Sequence, residues 1–277
     1  MKRSVIRTAA AVCAAACLLP GCSASTASIP AGASFVQPLT MRISLTEILS
    51  GLFSNLFSKD EKSEKDETEE TEKQSEKKKN PDGYESPVDF AALQKENPDV
   101  YAWLEITDSD ISYPVLNHEG DNSYYLTHDS RQQKDTKGSV YTEDFNTKTF
   151  DDPTTLIYGH TTKNGEIFGT LQKKYTDSSF FKTHREIKVY LPDKEYTYKV
   201  FAAIPFSDVH ILYYYDFTNE KQFNSFYNTV FSTRSLDAIV DSDVDISMDD
   251  HVIVLSTCIA SDRSKRFLVL AVRETVE

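Results

Sequence analysis

Three residues of this 277-residue chain have the type and setting for nucleophilic chemistry: Cys258, His160 and Arg266. A thiolate attacks carbonyls, an imidazole takes and returns protons near neutral pH, and a guanidinium can donate two hydrogen bonds to an oxygen gaining negative charge. Cys258 ends the run His251-Val252-Ile253-Val254-Leu255-Ser256-Thr257-Cys258, which reads as a strand, and Ile259 to Lys265 reads as a polar turn. A strand end is rigid on one side and open to a loop on the other, which suits a nucleophile that must be both positioned and accessible. A buried cysteine at the rim of a core fits the same pattern, because free cysteine is among the most buried residue types. His160 ends a second strand, Thr155-Leu156-Ile157-Tyr158-Gly159-His160, where Gly159 permits a close backbone approach. Arg266 opens the final strand, so a hairpin returns it to the end that carries Cys258. Arg263 and Lys265 are rivals for that cationic role. Arg266 is favoured because Phe267, Val269 and Ala271 alternate with it and fix its side.

The rest of the chain has to place these residues. Met1 to Arg7 is basic, Thr8 to Leu19 is apolar and too short to span a bilayer, and Leu19-Pro20-Gly21-Cys22 follows. Residues 1–22 therefore read as an export signal, whose end resembles a bacterial lipobox with Cys22 as the lipidated residue. An ordinary cleaved signal, or an uncleaved one serving as anchor, is the alternative. Cys13, Cys17 and Cys22 fall in this leader, so Cys258 is the lone cysteine of the exported body. It has no internal disulfide partner there and is either a buried apolar residue or a reactive thiol.

Residues 23–80 read as a linker. Within it Leu45, Ile48, Leu49, Leu52, Phe53, Leu56 and Phe57 form a helical stripe, either at a membrane interface or packed on another element. Lys59 to Lys79 has nothing apolar to bury and reads as a solvated tether. Residues 81–277 have globular texture, enough for one catalytic domain. From Asn80 onward 33 acidic residues face 19 Lys and Arg, and a surface of that sign repels nucleic acid and anionic lipid.

In that body Val88 to Asn97 has helical spacing and stops before Pro98. Strands are expected at Val100 to Ile106, Ile111 to Leu116, Thr154 to Tyr158, Glu186 to Leu191, Tyr196 to Ile204, Val252 to Leu255 and Phe267 to Val272. Asn219 to Phe231 reads as an amphipathic helix before the last two strands. The class is mainly β with helical decoration, a closed or nearly closed barrel. No His, Cys and Asp cluster has metal-ligand spacing, so neither a metal nor a cofactor is expected.

The motifs Thr155 to His160, Leu255-Ser256-Thr257-Cys258 and Lys265-Arg266-Phe267-Leu268-Val269 resemble the three catalytic signatures of sortases, cell-wall transpeptidases of Gram-positive bacteria. Val88 to Leu93, Asn97 to Leu104, Ile111 to Val115, Asp121 to Leu126 and Gly165 to Phe168 resemble class B members in order and spacing. The resemblance covers about residues 86 to 273 and implies an eight-stranded β-barrel. It gives Cys258, His160 and Arg266 the catalytic roles, and it places Asn122, Leu126, Tyr158, Ser256 and Thr257 along the substrate groove. The partners it implies are secreted proteins with a C-terminal sorting signal and an amine acceptor on a peptidoglycan precursor or pilin. It departs at the front, where class B members usually keep a membrane helix.

The working protonation state pairs thiolate with imidazolium. With ordinary pKa values near 8.5 and 6.5, independent titration puts under about 1% of molecules there at pH 7. Either the site shifts those values or the enzyme works through a minor population, the route sortases are considered to use. Three other functions compete. A cysteine peptidase would release the acyl group to water, a peptidoglycan L,D-transpeptidase would need a Ser-His-Gly-Cys signature that is absent, and a binding lipoprotein would keep Cys258 buried.

Overall fold

Among the described residues nine strands form one hydrogen-bonded sheet, and eight of them close on themselves. The computed structural model describes residues 83–274; the leader with Cys22, the stripe at 45–57 and the charged tether lie outside the described residues. The strands are β1 Val100–Ile106, β2 Ser112–Leu116, β3 Val140–Tyr141, β4 Thr154–Tyr158, β5 Glu186–Tyr190, β6 Glu195–Ser207, β7 Ile239–Val240, β8 Val252–Ile259 and β9 Asp262–Arg273. Their order is β5-β1-β2-β3-β4-β8-β9-β6-β7, and a β5–β6 pairing closes the first eight into the expected barrel, with β7 added outside on β6. Closure leaves few free edges to template unwanted pairing.

Helix α1 (Phe90–Glu96) starts where the Asp89 carboxylate accepts from the Ala92 N–H, and it stops one residue short of Pro98. α2 (Leu171–Tyr175), α3 (Ser178–Thr183) and α4 (Ile211–Tyr214) are short connectors. α5 (Glu220–Ser232) is the helix expected before the last strands; Asn219 caps it, and Phe223, Phe226, Tyr227 and Val230 form its buried stripe. Burying each of these side chains contributes roughly 1.5–3 kcal/mol.

Side-chain alternation sorts two cores. Along β8, Ile253, Leu255 and Ile259 join the barrel interior with Leu104, Ile157, Phe168 and Val269. Val252 and Val254 face outward and pack with Leu156, Leu268, Leu270, Phe223 and Phe226 beneath α5. β8 is thus buried on both faces for most of its length, which accounts for its unbroken apolar run. A third cluster joins α1 to the barrel through Phe90, Val100, Leu116, Tyr125 and Tyr141.

One expectation is corrected at the site. Ile259 to Lys265 is a tight hairpin with paired arms, closed by the Ile259–Asp262 pair and a bulge at Cys258–Ile259. Lys265 also pairs with Ser207 of β6. Backbone pairing needs no apolar side chains, so these polar residues read as a loop in sequence. β3 and β7, each two residues long, leave no periodic signal and were not expected.

Candidate active site

The outward stripe of β8 continues past its apolar part. After Val252 and Val254 come Ser256 and Cys258, beyond the cover of α5. The site therefore opens on the outer face of the barrel near one end, on the same stripe that seats the helix. Cys258 is free and half-buried. Across the hairpin it is the direct Cα partner of Arg266. On the other side, β4 runs parallel to β8 with Tyr158 opposite Ser256. The Gly159 N–H extends that ladder by donating to the Ser256 carbonyl at 3.1 Å, and Thr161 donates through its hydroxyl to the carbonyl of Cys258. His160 and Cys258 each lie two residues beyond the Tyr158–Ser256 pair, so the register sets them level on neighbouring segments.

Gly159 is needed where the chain leaves β4. A Cβ there would stand 2.5 Å from the Phe168 ring, and Phe168 in turn donates its N–H to the His160 carbonyl at 3.1 Å. The His160 ring has a defined partner as well: Nε2 lies 2.9 Å from the Leu126 carbonyl. A carbonyl can only accept, so Nε2 carries a proton and Nδ1 is the nitrogen left to exchange one. Among the described residues no carboxylate pairs with His160.

Arg266 is half-buried, and its Nη1 donates to the carbonyls of Arg263 and Lys265, each at 3.1 Å. Among the described ion pairs none involves Arg266, so its Nε and Nη2 have no carboxylate competing for them. Its charge reaches Tyr141 and Tyr158, partly offsetting the burial that raises both phenols far above the ordinary range. For Tyr141, the negative charge of Glu143 pushes the same way as burial. Both tyrosines stay neutral in the physiological range and can only donate or accept as phenols.

The remaining sequence-derived residues divide. Leu126 is 38% exposed beside His160. Tyr158 and Ser256 sit on the outward stripe with Cys258, Ser256 nearly covered. Asn122 is half-buried, and its Oδ1 accepts from the Asp144 N–H at 2.9 Å, which ties together the loops flanking β3. Thr257 alternates to the opposite side. It is 2% exposed, and its hydroxyl meets that of Thr161 at 2.8 Å, so it buttresses the segment carrying His160 without facing the open side. Reading single residues missed Glu143 and His210, which meet at 3.0 Å beside Tyr158. A lone Glu and a lone His, 67 positions apart, carry no motif.

The closed barrel carries a thiol, an imidazole and a guanidinium on adjoining segments, the groups that nucleophilic acyl transfer uses. A family description named "Sortase domain" matches residues 104–274, and the chain belongs to the sortase family. Sortase B of Listeria monocytogenes is 34% identical over 166 residues, which is 60% of this chain and 65% of that protein. The chain thus spans just under two thirds of that relative's length. The structure of Clostridium perfringens sortase B has a TM-score of 0.59 at 22% identity, covering 67% of this chain and 99% of that one, a likeness of fold. A Staphylococcus aureus sortase B–substrate complex has a TM-score of 0.58 at 27% identity, covering 68% and 85%.

Proposed function

We propose that this chain is a class B type cysteine transpeptidase acting at the cell surface. The Cys258 thiolate attacks the carbonyl before the scissile bond of a C-terminal sorting signal on a secreted protein. The carbon–nitrogen bond breaks as imidazolium His160 protonates the leaving amine, which leaves a thioester. An amine of a peptidoglycan precursor or pilin then attacks the thioester, His160 takes its proton, and the thiolate departs from a new amide. Arg266 and a backbone N–H near Cys258 hold the oxyanion in both halves. Asn122, Leu126, Tyr158 and Ser256 serve as the groove.

One observation supports this reading above the others: Arg266 is the cross-strand partner of Cys258, and His160 follows the last β4–β8 pair, Tyr158–Ser256, by the same two residues as Cys258. The Leu126 carbonyl supports the His160 role by keeping Nδ1 free to exchange a proton. Residues 1–22 and 23–80 act in this reading as export leader with Cys22 as lipid anchor, and as tether. No helix among the described residues is long and apolar enough to cross a membrane.

The test incubates purified protein with a library of sorting peptides, with and without glycine-type or diamino acid amines, and reads adducts by mass spectrometry. A thioester on Cys258 and an amide product that needs the amine are expected. Equal hydrolysis with and without amine would establish the peptidase instead. A native protein that thiol reagents cannot label would indicate the binding lipoprotein.

A further inference from the structure

A buried acid stands behind the nucleophile with no place in the chemistry above. Glu143 lies two residues past Tyr141, the last residue of β3, and is 7% exposed. Its Oε1 faces Nε2 of His210 at 3.0 Å. The Nδ1 of that ring accepts the Tyr213 N–H at 3.3 Å, which caps α4. An Nδ1 that accepts leaves the proton on Nε2, so His210 donates to Glu143. The carboxylate thereby sets the tautomer with which His210 caps the short helix bearing Tyr213 and Tyr214.

Its second oxygen is the unusual one. Oε2 is buried without a well-formed hydrogen bond, and so is the Tyr158 hydroxyl, although the two already lie within hydrogen-bonding influence of one another. Buried polar groups are rarely left poorly matched, and two complementary ones side by side imply a contact that tightens in another state.

The rings around this acid form a continuous strip. Tyr141 stacks on Tyr158 with centroids 5.4 Å apart, Tyr158 lies 6.3 Å from His210, and His210 lies 4.2 Å from Tyr213. Phe145 closes the far end at 4.7 Å from Tyr213. The near end adjoins the nucleophile, since Tyr158 pairs with Ser256 two residues before Cys258, while the far end is open, with Phe145 45% and Tyr213 73% exposed. Exposed aromatic surface continuous with a nucleophile is contact surface for an extended peptide.

We propose that Glu143 is a positioning residue for transpeptidation: Oε1 fixes His210 and α4, and Oε2 draws the Tyr158 hydroxyl into a full hydrogen bond when a peptide lies along the strip. The bound peptide excludes water and strengthens the contact. The inference rests on Cys258 being the nucleophile.

The test uses the full chain and the library peptide that best acylates Cys258. Glu143→Gln keeps the shape and removes the charge. It raises KM roughly 10- to 100-fold, the range for a hydrogen bond to a charged acceptor, with kcat within about threefold. Tyr158→Phe gives a rise of similar size, and the double variant adds little to either. The rate of Cys258 alkylation by iodoacetamide stays at the wild-type value in Glu143→Gln, which a general loss of structure would not permit. If Glu143→Gln does not fold, Tyr158→Phe carries the same measurement, because it removes one oxygen. An unchanged KM, additive effects, or a fall in kcat together with alkylation overturns the proposal. A wild type that forms no adduct with any peptide instead removes the transpeptidase reading, and this proposal falls with it.

Discussion

Gly138→Ala tests whether the backbone beneath His160 sets its chemistry. Gly138 has φ +61, and a Cβ there would stand 2.4 Å from the Tyr125 carbonyl oxygen, 2.9 Å from His160 Cδ2 and 3.0 Å from the Leu126 carbonyl oxygen. The first of these oxygens accepts from the Ser139 N–H at 3.0 Å, and the last is the partner of His160 Nε2. A left-handed backbone costs an L-residue about 1–2 kcal/mol, and overpacking adds about 1–3 kcal/mol. The total of about 2–5 kcal/mol corresponds to a Tm fall of roughly 5–15 °C for a domain of this size. Relief comes by moving either the backbone carbonyls or the imidazole, and both displace His160. A catalytic group misplaced by about 1 Å costs on the order of 100-fold. Gly120→Ala is the control: at φ +85 it meets nothing within 4 Å, so it carries the backbone cost alone. The assay is kcat/KM for peptide ligation, with iodoacetamide labelling of Cys258 and thermal melts alongside. A roughly 100-fold loss in Gly138→Ala, with near-wild-type turnover in Gly120→Ala, is expected. If Gly138→Ala kept kcat/KM within about threefold of wild type, the reasoning that Gly138 and Leu126 seat His160 would be refuted.

Three further outcomes are expected. Arg266→Lys loses about 100-fold in kcat/KM with Tm nearly unchanged, because a lysine cannot supply the guanidinium fork and the lost bonds go only to the carbonyls of Arg263 and Lys265; steady-state ligation against melting temperature checks it. Thr257→Val lowers stability by about 1 kcal/mol through its lost bond to Thr161 and leaves KM within about twofold; a KM rise of tenfold would return Thr257 to the groove. Asp241 is held below the ordinary carboxylate range, first by its hydrogen bond from Arg185 at 2.7 Å. A depressed folded-state value means that the pair's stability is present above about pH 4 and fades as pH falls through the lowered value. The Tm gap between wild type and Asp241→Asn, set by a half-exposed pair contributing about 1 kcal/mol, should therefore be present at pH 7 and shrink towards pH 2; a gap of equal size at both would contradict the sign.

Long, strongly periodic elements were legible in the chain. β1 matches its expected bounds and α5 lies within a residue of its own, since a face buried along seven or more positions repeats often enough to be read, while the five-residue β4 matches through its β-branched and aromatic composition. The trio proposed for catalysis was legible for a different reason: each member flanks an apolar run within a compact motif. Elsewhere the signal failed for physical causes. β3 and β7 are held by their neighbours and have no period of their own. The arms of the β8–β9 hairpin pair through backbone groups that any side chain could accompany.

The sequence by itself pointed to the family and the barrel class and singled out the thiol, imidazole and guanidinium proposed for the chemistry, because strand periodicity and local motifs are written in neighbouring residues. Only the tertiary structure decided which face each residue takes and what lies beside it. Thr257 turns to the covered side by one step of alternation. The Leu126 carbonyl, 34 positions from His160, fixes its tautomer, and Glu143 finds His210 across 67 positions. Contacts between distant segments exist once the barrel closes, and nothing in the spacing of residues along a chain specifies them.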